Sequence, residues 1–197
     1  MQLSDAFKAA LSPHFQEGQR AELLLPEDDD RAVELLVGYA YSTVSLVNQG
    51  RKFLPPDQLV GLRDYLSLYV LAHKYLIHDV QDAAIAAVYG HYFYPRRKID
   101  PNDVQYVYEH LPEESQMRRL FLALVVREIT TESRGTPISP EWKWAMMKNS
   151  DIFRDAFLCM QGIAGKGEKL LNLVLQPLTC FYVNGSDKSC VVRSTTD

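Results

Sequence analysis

Apolar positions crowd one stretch more than any other, Leu59 to Ile77 (LVGLRDYLSLYVLAHKYLI). At 100° per residue three of its polar positions, Arg63, Ser67 and Lys74, fall within roughly 40° of one another. Most of the remaining circumference is Leu, Val, Ala or Tyr. A helix apolar over so much of its surface is normally enclosed by other helices, so this stretch predicts a buried central element. The segments around it show the spacing to supply neighbours. Leu3, Phe7, Ala10 and Leu11 predict an N-terminal helix over Met1 to Glu17. Ala21 to Pro26 reads as a short extended segment or strand ended by proline. Asp28, Asp29 and Asp30 then precede a helix from about Arg31, where acidic residues suit the positive end of the helix dipole and one can cap its free N–H groups. Val33, Leu36, Val37, Ala40 and Tyr41 form its apolar face. Ser42 to Asp57 reads as a loop, long for a compact domain.

Beyond the central stretch, His78-Asp79 opens a helix to about Phe93, its alanines (Ala83, Ala84, Ala86, Ala87) permitting close approach, and Pro95 stops it. Asp100-Pro101 is a cap followed by proline at the first helical position, starting a short helix to about Leu111. A longer helix follows from about Glu114 to Glu132, with Leu120, Leu124 and Ile129 among its apolar positions, and Ser133 to Ile138 is a loop. Pro140 starts a helix with Trp142, Ala145 and Met146 on one side, Asn149-Ser150-Asp151 punctuates, and a last helix runs from about Ile152 to Met160. Past Gly162 glycines break the pattern and the polar end predicts disorder over about the last ten residues.

Composition narrows the function classes. With 197 residues the chain fits one domain, or one with an extension, enough to bury a sizeable core. Its net charge of −4 argues against nucleic acid as the main partner, since no basic excess is present to neutralise phosphates. Arg96-Arg97-Lys98 is the one basic run. The three cysteines, Cys159, Cys180 and Cys190, are odd in number and form no C-x-x-C pair, which excludes a disulfide framework and gives no sign of zinc or redox work. No signal-peptide core and no stretch of 18 apolar residues is present, so an intracellular chain, cytoplasmic or nuclear, is expected, with no membrane.

Two motifs carry a resemblance. Phe15 to Ser42 reads FxxGxxAELLLPEDDDRAVELLVGYAYS, and Leu68 to Ala84 reads LYVLAHKYLIHDVQDAA. In that order, across a loop, they resemble the BTB/POZ family, specifically its fungal branch. Glu17, Leu23, Leu25, Glu27, Asp28, Asp29, Val33, Leu36, Tyr39 and Tyr41 fall on the first motif. Tyr69, Val70, Leu71, Ala72, Lys74, Tyr75 and Ile77 fall on the second. Of these, Leu25, Val33, Leu36, Tyr39, Tyr41, Tyr69, Leu71, Ala72, Tyr75 and Ile77 are the expected family core. His73 stands where the family usually has Asp, and Asp30 where it has proline. The family's opening β-hairpin and first helix have no counterpart ahead of Met1, so the chain reads as N-terminally truncated relative to the family. That implies a mainly α chain derived from an α+β parent fold, with at most one or two short strands. It also leaves Leu23 and Leu25 partly uncovered and a strand edge open. The expected organisation is a partial BTB/POZ domain over 1–95, a C-terminal helical extension over 96–165 and a poorly ordered tail over 166–197.

The resemblance implies a non-catalytic protein–protein interaction module. It offers cullin-3 as one protein partner, through a role as ubiquitin-ligase substrate adaptor, and a truncated, non-functional fragment as the competing reading. A homodimer is among the assemblies the family implies, but much of the usual interface lies in the hairpin this sequence lacks.

Other chemistry has plainer explanations. Glu27 to Asp30 lacks the alternating ligands and distal glutamate of a calcium loop and suits helix capping. His73 and His78 lie five apart, where two ligands on one helix face need four. Gly162 to Gly167 is too short for a phosphate loop and follows a helix. Cys159 reads as a core thiol. Tyr65, Tyr69 and Tyr75 read as core aromatics with hydroxyls at the rim, and Trp142 with Met146 as the pair that docks the C-terminal helices. No catalytic residue, cofactor or metal site is expected.

Overall fold

The acidic run before Arg31 sets the first helix. In the computed structural model Asp29 accepts a 2.7 Å hydrogen bond from the Ala32 N–H through its side chain, and α1 runs Asp30–Val47. The structure describes residues 25, 27–47, 61–93, 97–132, 139–165 and 181, with isolated positions 12, 14 and 19. The N-terminal helix expected up to Glu17 and the extended segment before Pro26 therefore lie outside the described residues, Ser12, His14 and Leu25 apart. The chain divides into two compact units, Met1–Val88 and Tyr89–Asp197.

In the first unit α1 packs on α2, Leu62–Lys74. Gly61 marks the start of α2, and its N–H donates to the Asp64 carboxylate at 3.0 Å. Leu66, Leu68, Tyr69, Leu71 and Ala72 of α2 are buried, as its nearly all-apolar circumference predicts, while Arg63 and Lys74 stay exposed. After three residues, Tyr75 to Ile77, α3 runs His78–Phe93. Ala32 and Leu36 of α1, Leu68, Leu71 and Ala72 of α2, Ile77 and Val80 form one core cluster, with Val33, Leu35, Tyr39 and Tyr75 against it. Burying such a side chain stabilises by roughly 1.5–3 kcal/mol, so this cluster holds the unit together. The buried Gln81 donates to the Ala72 carbonyl at 3.1 Å, supplying a partner at a covered helix end.

The second unit begins in the last turn of α3, at Tyr89. It continues with α4 (Pro101–His110), α5 (Gln116–Arg127), a π-helical turn (Glu128–Glu132), α6 (Pro140–Lys148) and α7 (Ser150–Gly165). Both proline-started helices carry caps, the first as expected. Asp100 accepts from the Asn102 N–H at 2.8 Å and Ser139 from the Trp142 N–H at 3.4 Å. Helix α4 packs on α5, α6 and α7, and α7 on α5 and α6. The centre is filled by Val104, Val107, Met117, Leu120, Phe121, Leu124 and Ile152, all inaccessible to solvent. Two arginines are buried among them. Arg127 donates to the carbonyls of Tyr92 at 3.3 Å and Arg97 at 2.9 Å, a cation placed where the last carbonyls of α3 emerge. Phe181 is buried, its ring 6.3 Å from that of Tyr89; the rest of the tail lies outside the described residues.

The protein is mainly helical, and no strand occurs among the described residues. Three boundaries differ from expectation. Helix α1 continues through Ser42 to Val47, because Thr43 to Val47 contains neither glycine nor proline to stop it; residues 48–57 of the expected loop are outside the described set. The long helix expected to Glu132 changes to π geometry after Arg127. There the Thr130 hydroxyl donates to the Val126 carbonyl at 2.7 Å and the Arg127 carbonyl at 3.3 Å, competing with the regular ladder. Helix α7 begins earlier and ends later than expected, passing through Gly162, since a single helical glycine costs only about 0.5–1 kcal/mol.

Candidate functional site

The two motif segments meet at Asp28. Its carboxylate accepts from Lys74 Nζ at 2.8 Å through one oxygen and from the Tyr75 hydroxyl at 2.7 Å through the other. The three residues lie 46 and 47 positions apart in sequence, yet Asp29 capping α1 and the end of α2 bring them together. The Asp28 side chain is only 7 % exposed, the Lys74 side chain 47 %. Burial opposes ionisation of Asp28, but the hydrogen bonds from Lys74 and Tyr75 and the Lys74 charge outweigh it, holding the carboxyl below its ordinary range. Burial, then the Asp28 carboxylate, pushes Tyr75 up. Chemically this is a fastening. A carboxylate kept ionised with both oxygens engaged is a poor proton donor at neutral pH.

The expected family-core residues largely converge around it. Leu36, Leu71, Ala72 and Ile77 are members of the buried cluster, and Val33, Tyr39 and Tyr75 pack against it. Tyr69 is fully buried, its ring 6.1 Å from that of His73. The Tyr39 hydroxyl donates to the Asp79 carbonyl at 3.4 Å, joining α1 to the start of α3. Leu25 is half-buried, and its carbonyl accepts from the Asp28 N–H at 3.2 Å. Tyr41 lies within α1; its side chain is outside the described set.

One residue of this region escaped the sequence reading. Leu76, between Tyr75 and Ile77, has φ of 55° and is 64 % exposed. The Ile77 N–H reaches the Ala72 carbonyl at 2.8 Å and the Leu76 N–H the His73 carbonyl at 3.2 Å. That is the Schellman helix end, whose left-handed position glycine usually fills. Nothing in a Lys-Tyr-Leu-Ile string announces it.

The remaining candidates fall where their plainer explanations put them, or apart. Asp29 caps α1 and Asp28 is ion-paired, and among the described residues no group of three or more His, Cys, Asp or Glu is placed to hold a metal ion. Cys159 is half-buried, and burial pushes its thiol up to about 11, where little thiolate forms near neutrality. Trp142 and Met146 are half-buried and Ala145 between them fully so, on the inward side of α6. Arg97 and Lys98 are exposed. The outward sides of α6 and α7 were not anticipated: Trp144, Met147, Phe153, Phe157 and Leu158 all stand in solvent. The available signal was α7's double pattern, with Ile152 and Ala156 spaced for one side and Phe153 and Phe157 for the next.

Compared with known proteins, the chain matches no family model, no curated protein and no solved structure. No helix among the described residues is long and apolar enough to cross a membrane.

Proposed function

We propose that this chain is a non-catalytic protein–protein interaction module of the BTB/POZ type. The supporting observation is the convergence of the LPEDD and LAHKY segments at Asp28, where Lys74 and Tyr75 share one carboxylate. Residues that the resemblance groups together thus act as one structural unit, closed over a shared apolar cluster.

A second reading, adaptor for a cullin-3 ubiquitin ligase, is favoured by the four helices α4 to α7 that follow Pro101, because adaptors of the family carry a helical extension after the domain. Size-exclusion chromatography with light scattering on 1–197, alone and with the purified cullin-3 N-terminal domain, tests both. A particle of defined mass that co-migrates with the cullin supports the adaptor. A folded particle of defined mass that ignores the cullin removes the adaptor and leaves the module. Aggregates of no defined size, or thermal unfolding without cooperativity, overturn the module and favour a non-functional fragment.

A further inference from the structure

Helix α7 is apolar on two sides. Ile152 and Ala156 face the core of the second unit, 0 % and 1 % exposed. Phe153, Phe157 and Leu158 face away from it, and the rings of Phe153 and Phe157 stack at 6.2 Å. On α6, Ala145 is buried while Trp144 and Met147 point outward. Five of the seven large hydrophobic residues exposed among the described residues therefore fall within Trp144 to Leu158, at 48–86 % exposure. A surface helix normally keeps one apolar stripe and turns polar residues to water. Two stripes on one helix call for cover on two sides, and among the described residues only the inward one is covered.

We infer that the outward face of α6 and α7 is an interface between two copies of this chain. Charge argues for a copy over an acidic or basic partner. Two of the three cations bordering the face are paired within the chain, Lys148 with Glu109 at 3.0 Å and Arg154 with Asp151 and Asp155 at 3.1 Å and with Glu113 at 3.4 Å, while Lys143 is exposed to solvent. Lys148 also lies over the Trp144 ring, 5.2 Å from its centroid. A rim so neutralised presents no single sign for an oppositely charged partner to read, and two such rims approach without strong repulsion. Area argues the same way. With aromatic side chains of 150–250 Å² about half exposed, the five residues leave roughly 500 Å² of apolar surface per copy, at the upper end for a monomer's largest patch. Paired about a two-fold axis, where one patch serves both sides, they bury about 1,000 Å² in total, the lower bound of a specific interface. The expected product is a reversible, weak dimer. The inference rests on α6 and α7 alone and stands apart from the reading of the first unit.

Sedimentation velocity on the full chain from about 1 to 100 µM tests it, beside Phe153→Glu with Phe157→Glu, and Val37→Glu as a control in the first unit. The wild type is expected to shift from monomer to dimer with concentration, the double variant to remain monomeric with unchanged circular dichroism, and the control to dimerise as the wild type does. Should the double variant lose its helical signal, Met147→Lys, at the most exposed position, carries the same expectation. A wild type monomeric throughout the range, open-ended assembly, or a dimer that survives the folded variants overturns the inference.

Discussion

Leu76 occupies a backbone position that costs an L-residue roughly 1–2 kcal/mol. Its side chain is mostly in water, so little burial offsets that cost. Leu76→Gly is expected to raise stability by about 0.5 kcal/mol, the relief of strain exceeding the extra freedom glycine gives the unfolded chain. A higher urea midpoint at unchanged slope is the expected reading; a lower one would mean that Leu76 makes contacts worth more than its strain. Strain retained at an exposed apolar residue is also a feature of binding positions, which makes the same variant informative in any partner assay. Asp28, 47 positions before Tyr75 in sequence but hydrogen-bonded to it, behaves differently. Its folded carboxyl is held below the ordinary 3.8, so its contribution is present above that value and disappears as pH falls through the lower folded value. Asp28→Asn should therefore be less stable than wild type at pH 7, with the gap closing below about pH 3.8. Paired urea titrations across that range measure it, and a gap independent of pH would show that the ion pair with Lys74 contributes nothing through charge.

Among whole elements, α5 and α7 are joined by a buried charge pair. Arg118 Nη2 lies 3.1 Å from Asp155 and 3.8 Å from Asp151, and its guanidinium sits over the Tyr108 ring of α4 at 4.2 Å. Side-chain exposure is 8 % for Arg118 and 13 % for Asp155. Removing one partner leaves a charge buried without its main counter-ion, so Asp155→Ala should cost about 3 kcal/mol, near the low end for such pairs because Asp151 remains close. Replacing both, Arg118→Met with Asp155→Leu, should recover most of that loss. A double variant no more stable than Asp155→Ala would show that Arg118 acts through its own contact with Tyr108 rather than through the pair. The helix ends around these elements were legible in sequence where a chemical stop exists. His78-Asp79, Asp100-Pro101 and Pro140 gave starts that the structure bears out, the last two with caps formed. Where no glycine or proline intervened, as after Ser42, or where a threonine hydroxyl bends the ladder, as at Thr130, the pattern carried no such mark. The burial of α2 was legible because Leu, Val, Ala and Tyr fill most of its circumference. The outward aromatics of α6 and α7 were not, because periodicity tells which residues share a side, not whether a neighbour covers it. Leu76 was invisible for a third reason: left-handed backbone without glycine leaves no trace in composition.

For the molecule as a whole, charge and apolar surface make opposite demands on association, and their balance is measurable. Each copy carries a net charge of −4 near neutrality, so two copies repel weakly at long range. The proposed contact itself is apolar, and most of the charges beside it are matched within each chain. Salt acts on the first of these and hardly on the second. Raising ionic strength from about 0.01 M to about 0.15 M shortens the screening length from about 30 Å to about 8 Å, which removes most of the repulsion between copies while leaving the buried aromatic and aliphatic surface unaffected. The dimer is therefore expected to tighten by a few-fold over that range and to change little beyond it, since further salt has little left to screen. An interface held by ion pairs between copies would do the reverse, weakening steadily as salt is added. Dissociation constants from sedimentation at several salt concentrations distinguish the two. Steady weakening would move the contact away from Trp144, Met147, Phe153, Phe157 and Leu158 and towards charged residues elsewhere on the chain.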